Sequence, residues 1–184
     1  MRPDEQRSAR KGGVTAPHNI VVLMGVMGSG KTTIGRAVAA ASGVEFLEGD
    51  DLHPTSNIVK MSAGIPLDDD DRAPWLRAVA DWIARQRVGG RGGVVSCSAL
   101  KRAYRDTLRS VSGDNLRLVL LDQDWSVLSA RLSARGDHFM PAALLSSQLA
   151  TLERPHDDEH ALILTGTATQ DAQIQAVLDW TRQG

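Results

Sequence analysis

The chain has 184 residues, of which 42% are hydrophobic and 23% charged, and its formal net charge at pH 7 is −1. This length suits one domain with a substantial core, and the near-neutral charge argues against a nucleic-acid partner held by bulk electrostatics. No apolar run approaches the roughly 18 residues of a membrane span, so we expect no membrane contact. A single cysteine, Cys97, excludes an internal disulfide and fits a reducing, cytoplasmic setting.

The first 17 residues form a polar segment. They lack the apolar core of a secretory signal and mix arginines and acids with the pair Gly12-Gly13. We therefore expect a disordered tail over residues 1–17 and a single folded domain over residues 18–184.

A phosphate-binding motif follows the first predicted strand. The apolar residues 20–24 predict a buried strand, and the Ala-rich residues 33–42 predict a helix. Between them, Gly25 to Thr32 form a complete G-x-x-x-x-G-K-[ST] loop, whose backbone N–H groups cradle phosphate oxygens. In such a loop Lys31 reaches the β- and γ-phosphates and Thr32 ligates Mg²⁺. The predicted nucleotide contacts are Gly25, Val26, Met27, Gly28, Ser29, Gly30, Lys31, Thr32 and Thr33.

The remainder of the chain alternates predicted strands and helices. Four short apolar segments predict strands, at residues 44–47, 94–97, 116–121 and 162–164. Helical periodicity and capping residues predict five more helices, at residues 68–88, 99–109, 125–135, 142–152 and 171–180. The polar stretch 48–71 is interrupted by Pro54, Gly64 and Pro66. This alternation predicts a three-layer αβα fold around a parallel sheet.

Loops at the carboxyl ends of the strands surround one crevice in such a fold. Glu48 and Asp50 leave the second predicted strand at this edge. Asp50 is predicted to hold an acceptor hydroxyl and take its proton, because phosphoryl transfer needs an oriented nucleophile. Glu48 lies two residues earlier and is predicted to contact the Mg²⁺ shell through water. A solvated acidic turn is the alternative for both.

The next segment offers three polar candidates and an acidic run. His53 alone is typical of a surface or capping histidine. Lys60 and Arg72 can pair with an anionic substrate group, although the acidic run 68–71 can equally pair with Arg72. The run itself is typical of a helix N-terminus.

The third predicted strand leads into Ser98, which is placed to cap the helix 99–109. Lys101 follows. It is one of few lysines in this arginine-rich chain, which favours a position where a compact ammonium suits, and chance at a surface position is the alternative. No acid ends this strand in the manner of a Walker B motif. Asp122, at the end of the next strand, resembles one but is predicted to be a turn residue.

Two arginines precede a predicted break in the chain. Arg131 and Arg135 are four residues apart and share a helix face that leads into residues 136–141. This arrangement predicts a lid over about residues 135–142, with both arginines binding phosphates and Arg135 neutralising transition-state charge. A solvated basic face paired with acids is the alternative.

Together these segments resemble the gluconokinase family of small P-loop sugar-acid kinases, from about Ile20 to Trp180. Besides the phosphate loop, the resemblance is carried by Gly49-Asp50-Asp51-Leu52-His53-Pro54, Asp69-Asp70-Asp71-Arg72-Ala73-Pro74-Trp75, Cys97-Ser98-Ala99-Leu100-Lys101, His138-Phe139-Met140 and Ser147-Gln148. The segments after the phosphate loop are the specific ones, because many kinases share the loop.

The resemblance implies transfer of the ATP γ-phosphoryl group to the C6 hydroxyl of D-gluconate, with Mg²⁺ required. It also implies a sheet order of 2-3-1-4-5 and a homodimer. The acceptor-binding segment would cover about residues 52–88, with Lys31, Asp50 and Arg135 as the catalytic residues. The residues expected to hold gluconate, besides Asp50, are His53, Arg72 and Lys101, followed by Lys60, Ser98, His138 and Gln148.

Two departures from the family pattern are visible. Glu48 stands where the pattern often has Asp, which favours a water-mediated metal contact, and Gly136-Asp137 replaces a more basic turn in the lid. The alternatives are a shikimate kinase or another small-acid kinase, a kinase acting on a nucleotide or polynucleotide end, and a nucleotide-dependent regulatory module. Asp50 and the lid arginines favour transfer, since a switch needs no acceptor site.

Overall fold

A computed structural model of the chain describes residues 19–134, 142–166 and 168–182. The predicted tail, the lid turn and two predicted site residues, Arg135 and His138, lie outside the described residues.

Five parallel strands form one sheet at the centre of the molecule. The strands are β1 (Ile20–Met24), β2 (Glu45–Glu48), β3 (Gly93–Ser96), β4 (Leu116–Asp122) and β5 (Leu162–Thr165). Their order is β2-β3-β1-β4-β5, which confirms the predicted topology. All five residues of β1 are buried, as expected for the central strand of a sheet covered on both faces.

Helices cover both faces of the sheet and so form the two outer layers. They are α1 (Lys31–Ser42), α2 (Thr55–Ser62), α3 (Asp69–Val88), α4 (Arg102–Ser112), α5 (Trp125–Ala134), α6 (Ala142–Thr151) and α7 (Gln170–Arg182). On one face, Trp75 and Ile83 of α3 share a core with β1. On the other face, Ile34 of α1 and Val177 of α7 do the same. The predicted three-layer αβα fold is therefore confirmed.

Two helix predictions need correction. The polar stretch 48–71, with its prolines and glycine, contains the helix α2, which the sequence did not indicate. Ser98 does not cap a helix, because α4 begins only at Arg102, with Lys101 at the N-cap position. The backbone of 98–100 is engaged elsewhere: the Ser98 carbonyl accepts from Gly25 N at 3.2 Å, and the Leu100 carbonyl accepts from Glu153 N at 2.9 Å.

The acidic run begins α3 as predicted. Asp68 is the N-cap residue, and its carboxylate accepts from the Asp71 backbone N–H at 2.8 Å. The Asp71 carboxylate accepts in return from the Asp68 backbone N–H at 3.2 Å, which completes a capping box. The acids of the first turn also face the positive end of the helix dipole. Arg72 and Trp75, on the turn that follows, are thereby held in place.

A buried ion pair fixes the loop after β3. Arg105 of α4 and Glu159 are almost fully buried and bonded by two contacts, of 2.5 and 2.8 Å. Arg105 also donates to the carbonyls of Ala99, Leu100 and Glu153. A buried charge is tolerated when it is paired and hydrogen-bonded, and all three nitrogens of this guanidinium donate hydrogen bonds. The pair therefore ties Ala99 and Leu100 to α4.

The chain's single cysteine lies directly after β3. Cys97 is fully buried, and this burial raises the pKa of its thiol to about 12. A buried thiol of this kind is chemically inert and packs as a small apolar residue.

Gly49 allows β2 to approach β3 closely where both strands end. A Cβ atom at Gly49 would overlap the carbonyl oxygen of Ser96. We expect Gly49→Ala to lower the free energy of unfolding by about 2 kcal/mol or more, since backbone must move to make room. Gly43→Ala is the control: Gly43 has φ +67° but open space around it, so about 1 kcal/mol is expected from the left-handed conformation alone.

Urea denaturation of the two variants measures this difference. Equal losses of stability in both would show that the contact at Gly49 does not constrain the strand ends.

Candidate active site

A cavity of about 440 Å³ opens at the carboxyl end of the sheet. The phosphate loop, Gly25–Thr32, forms one side of it, and residues from three other connections form the rest. Ligands of open α/β sheets bind at this edge. The predicted acceptor-side residues that line the cavity are Asp50, His53, Arg72, Ser98 and Gln148.

The phosphate loop has the backbone conformation that its glycines permit. Gly25, Gly28 and Gly30 have φ values of +135°, +77° and +102°. A Cβ atom at Gly25 would lie 2.8 Å from the carbonyl oxygen of Leu121, so the loop passes directly over the end of β4. Of the predicted nucleotide contacts, those that line the cavity are Met27, Gly28, Gly30, Lys31, Thr32 and Thr33. Gly25, Val26 and Ser29 are buried beneath them.

Two cations bond to carbonyl groups of the loop itself. Lys31 Nζ donates to the Val26 carbonyl at 3.0 Å. Arg131, on α5, donates from one Nη atom to the carbonyls of Gly28 at 3.3 Å and Ser29 at 3.2 Å. Both positive groups therefore stand beside the surface where the loop can receive phosphate. Phosphate binding by Arg131 stays a prediction.

Gln148, predicted to bind the acceptor, contacts the phosphate loop instead. It lies on α6, and its Oε1 accepts from the Met27 backbone N–H at 2.7 Å. Because Met27 occupies the third position of the loop, the contact links α6 to the phosphate side of the cavity. The side chain also lines the cavity, so a contact with the acceptor stays a prediction.

We expect Gln148→Leu to raise the KM for ATP about fivefold, the effect of losing one hydrogen bond that orders the loop. The KM for the acceptor should change little. The exposed Gln170→Leu is the control variant. Steady-state kinetics with each substrate varied in turn distinguish the two roles. A rise confined to the acceptor KM would place Gln148 with the acceptor, as the sequence predicted.

Asp50 and His53 occupy the short 3₁₀ turn Gly49–Leu52 and the residue after it. The Asp50 side chain is 65% exposed, and its Oδ1 lies 4.0 Å from His53 Nε2. The His53 ring is buried and stacks on Trp75, with centroids 4.6 Å apart and an angle of 10° between planes. Trp75 Nε1 donates to the Gly49 carbonyl at 2.7 Å. The tryptophan thus supports both the turn that carries Asp50 and the histidine.

Burial lowers the pKa of His53 below its ordinary value. The nearby Asp50 carboxylate opposes this shift, and the Arg72 guanidinium adds to it. The ring is therefore neutral at any pH above the range in which histidine ordinarily titrates. The sequence did not indicate this environment, since His53 alone was typical of a surface residue.

Arg72 is a buried cation on the wall of the cavity. It is 9% exposed, and its Nε donates to the Leu67 carbonyl at 3.3 Å. Within the described residues, no carboxylate oxygen lies within 4.0 Å of its nitrogens. The predicted pairing of Arg72 with the acidic run is thus not formed there. A buried guanidinium without an anion is suited to receive one from a ligand.

The two predicted lysines are held by the acidic run. Lys60 Nζ donates to the Asp71 carboxylate at 2.6 and 2.7 Å, and Lys101 Nζ donates to that of Asp69 at 2.7 and 2.8 Å. These bonds lower the pKa of both carboxyl groups, and a hydrogen bond from Tyr104 further lowers that of Asp69. Neither lysine lines the cavity. Their contact with the acceptor stays a prediction, and the structure gives each another partner.

Glu48 ends β2, and its Oε1 accepts a short hydrogen bond from the Ser96 hydroxyl. The same hydroxyl accepts from the Gly49 backbone N–H at 3.3 Å. Among the described residues, no three His, Cys, Asp or Glu side chains converge into a metal site. Thr32 lines the cavity beside Lys31. A hydroxyl and water ligands suit Mg²⁺, which commonly keeps several waters and binds substrate phosphates.

Asp122 is bonded as a structural residue. Its carboxylate accepts from Arg154 Nε at 2.7 Å and from an Nη atom at 3.1 Å. The predicted turn position of Asp122 is wrong, because the residue is the last of β4 and pairs with Thr165 of β5. Its ion pair ties β4 to the segment after α6.

The sequence assigned no role to Asn57 or Trp75, although both support the site. Asn57 is 1% exposed and lies 3.2 Å from His53 through its side chain. His53 precedes α2 in extended backbone, so the helical i,i+4 rule does not relate the two residues, and no local pattern signalled their contact. In the described part of the chain, no helix is both long and apolar enough to cross a bilayer.

Comparisons with known proteins identify the family of the chain. A family model described as an AAA domain matches residues 20–155. The chain is 48% identical over 160 residues to a gluconokinase of Gluconobacter oxydans, covering 86% of this chain and 88% of that protein. It is 49% identical over 142 residues to the thermosensitive gluconokinase of Escherichia coli, covering 77% and 75%. The crystal structure of a gluconokinase from Sinorhizobium meliloti superposes with a TM-score of 0.81 at 43% identity, covering 91% and 93%.

The family model extends over the phosphate loop, the segment from Asp50 to Arg72 and the β4–α5 region. The similar proteins are also matched over most of their own length, and the solved structure shares the sheet and its helices. A motif common to many kinases cannot account for agreement on that scale, since the loop is only eight residues long. The chain therefore belongs to the gluconokinase family of P-loop kinases.

Proposed function

We propose that this protein is an ATP-dependent gluconokinase, which converts D-gluconate and ATP into 6-phosphogluconate and ADP. The observation that carries the proposal is one cavity that joins a phosphate loop to an acceptor wall with a carboxylate, a histidine and a buried arginine. The family to which the chain belongs supplies the identity of the acceptor. A shikimate kinase or a regulatory module is not favoured, because the gluconokinase relatives match most of the chain.

Asp50 is the residue we propose as general base. Its exposed carboxylate accepts a hydrogen bond from the C6 hydroxyl and orients the oxygen toward the γ-phosphorus. The oxygen forms a bond to phosphorus while the bond to the β,γ-bridging oxygen breaks, and the hydroxyl proton passes to Asp50. ADP leaves with the bonding electrons, and Asp50 later releases the proton to water.

The phosphate side supplies positive charge. We propose that Lys31 and Arg131 exchange their loop carbonyls for phosphate oxygens when ATP binds, and that Arg135 contributes from the lid. Backbone N–H groups of the loop and the start of α1 complete the cradle. The Thr32 hydroxyl would hold Mg²⁺, with Glu48 acting through water. The ion, when bound, neutralises charge on the β- and γ-phosphates.

Arg72 is the group we propose for the gluconate carboxylate. It lines the cavity as a buried cation, whereas Lys60 and Lys101 each have a carboxylate partner. A guanidinium binds a carboxylate with two parallel hydrogen bonds, which fixes the orientation of the acceptor as well as its charge. His53, Ser98 and His138 are proposed to bind hydroxyl groups of the sugar acid.

The proposal is tested with purified protein, Mg²⁺-ATP and a panel of acceptors in a coupled ADP assay. The panel contains gluconate, shikimate, glycerate and nucleoside monophosphates, and ³¹P NMR identifies the product. We expect turnover with gluconate and a phosphomonoester at C6. A Lys31→Met preparation controls for contaminating kinases. Gluconate turnover no higher than the ATP-only background would refute the assignment.

We also propose a cytoplasmic homodimer. The family resemblance supports the dimer, and the single cysteine fits a reducing compartment. Light scattering on the eluting protein measures the mass directly: about 40 kDa is expected for two copies of the 19.8 kDa chain.

A further inference from the structure

Asn57 is a buried amide in the first turns of the short helix α2. Its side chain is 1% exposed, in a helix of eight residues whose surface is otherwise largely open. A buried carboxamide needs partners for its donors, because an unmet polar group in the interior is costly. Asn57 Nδ2 donates to the Asp71 carbonyl at 2.7 Å. Since a carbonyl oxygen only accepts, this bond fixes which end of the amide faces α3.

The same nitrogen fixes the chemistry of the histidine. Asn57 Nδ2 lies 3.2 Å from His53 Nδ1. An amide nitrogen only donates, so His53 Nδ1 must present its lone pair. An imidazole with one hydrogen then carries it on Nε2. Both donors of Asn57 are used, one on the backbone of α3 and one on the ring.

The position of the His53 ring is fixed by Trp75. It stacks on Trp75, whose indole N–H is bonded to the Gly49 carbonyl. Two charged groups face the ring, Asp50 on the turn before it and Arg72 on α3, and burial outweighs the attraction of Asp50 in setting its pKa. Above its ordinary titration range the histidine is therefore neutral, with a single N–H.

That N–H points to the reacting part of the cavity. His53 Nε2 lies 4.0 Å from Asp50 Oδ1, and both side chains line the cavity. A hydrogen on Nε2 is attracted to this carboxylate and to a hydroxyl oxygen bound beside it. The opposite tautomer would set the Nε2 lone pair against the carboxylate.

We propose that Asn57 is a positioning residue that holds His53 in the Nε2–H tautomer, so that the ring offers a hydrogen-bond donor beside Asp50. Through its hydrogen bonds to the Asp71 carbonyl and to His53, Asn57 thus links α3 to the acceptor side of the cavity. The effect of this tautomer on turnover rests on the proposed function. The tautomer itself is a property of the protein without substrates.

The test begins with the unaltered protein. Long-range ¹H–¹⁵N correlation spectra of ¹⁵N-histidine protein separate protonated from unprotonated ring nitrogens, and loss of one signal set in His53→Gln assigns the residue. We expect Nε2 to be the protonated nitrogen of His53 at pH 8. A proton on Nδ1 would overturn the proposal, whatever the acceptor of the enzyme.

Two variants connect the tautomer with turnover. In Asn57→Asp the carboxylate accepts from the ring, so we expect a proton on Nδ1, a higher midpoint of His53 titration and kcat/KM for gluconate lower by about tenfold, the size of one lost hydrogen bond. The KM for ATP should stay within twofold, on the order of the uncertainty of such comparisons. Asn115→Asp, at an exposed position directly before β4, is the matched control.

An Asn57→Asp protein with the unaltered tautomer and unaltered turnover would refute the positioning role. Thermal melting of each variant identifies a folding defect, and the measurement on the unaltered protein remains decisive if one is found. A wrong acceptor assignment would leave the ring spectra as expected and abolish only the gluconate rates, so the two failures are distinguishable.

Discussion

Asp50→Asn is expected to lower kcat by about 100-fold or more, the contribution of a positioned general base. The amide has the shape of the carboxylate but cannot take the hydroxyl proton, so the acceptor binds and is not activated. Nucleotide binding should remain, because the phosphate loop and its cations belong to other elements. Calorimetric titration with a non-hydrolysable ATP analogue measures that binding, and the coupled assay measures kcat.

The neighbouring Asp51 provides the control for this variant. It is exposed, lies in the same turn and does not line the cavity, so Asp51→Asn removes the same charge from nearly the same place. We expect its kcat to stay within about twofold, as for a surface substitution of small energetic effect. Equal losses in both variants would assign the effect to the charge of the turn, and an active Asp50→Asn would remove Asp50 from the mechanism.

Arg72→Met should raise the KM for gluconate by about 100-fold, the effect of removing a charge-assisted, water-shielded pair. Methionine keeps the apolar stem and removes the guanidinium. Sorbitol, which resembles gluconate but lacks the carboxylate, distinguishes lost charge from lost shape. The variant should lose its preference for gluconate over sorbitol, because only gluconate forms the pair.

Arg77→Met, at an exposed position on the same helix, controls for the change in net charge. Thermal melting should show no loss of stability for Arg72→Met, since the buried cation has no carboxylate partner among the described residues and costs desolvation energy. The sequence did not decide which basic residue holds the carboxylate: Arg72 and Lys101 were the first candidates and Lys60 a weaker one. A preference that survives in Arg72→Met and is lost in Lys101→Met would transfer the role to Lys101.

The phosphate side of the site was predictable because its determinants are local. Gly25–Thr32 and the adjoining strand and helix are contiguous in sequence, and the structure has β1 and the end of α1 where the sequence placed them. The alternation of strands and helices likewise predicted the three layers, since the apolar period and the capping residues that mark these elements are local signals.

The acceptor side was only partly predictable because it depends on contacts between segments. Residues 55–62 are polar and β-branched, a composition with low helix propensity, yet α2 forms. Asn57 and Lys60 bond to Asp71 of α3, and this tertiary contact outweighs the local preference. The same contact occupies a lysine that composition alone made a ligand candidate.

The predicted start of the helix after β3 was wrong for a related reason, since α4 begins at Arg102. Ser98 has the residue type of a cap, but Ala99 has φ +40° and the backbone around it bonds to Gly25 and Glu153. These partners are 73 and more than 50 residues away in the chain, beyond any local pattern.

The inert thiol at the end of β3 also provides a built-in probe of opening. Burial raises the pKa of the Cys97 thiol to about 12, which disfavours the reactive thiolate at pH 8, and the sulfur is shielded from reagents. Any thiol reagent therefore labels this protein only during excursions that expose the strand end. Because no second cysteine competes, the labelling rate directly reports how often the end of β3, next to the cavity residue Ser98, becomes exposed and how far each substrate suppresses that opening.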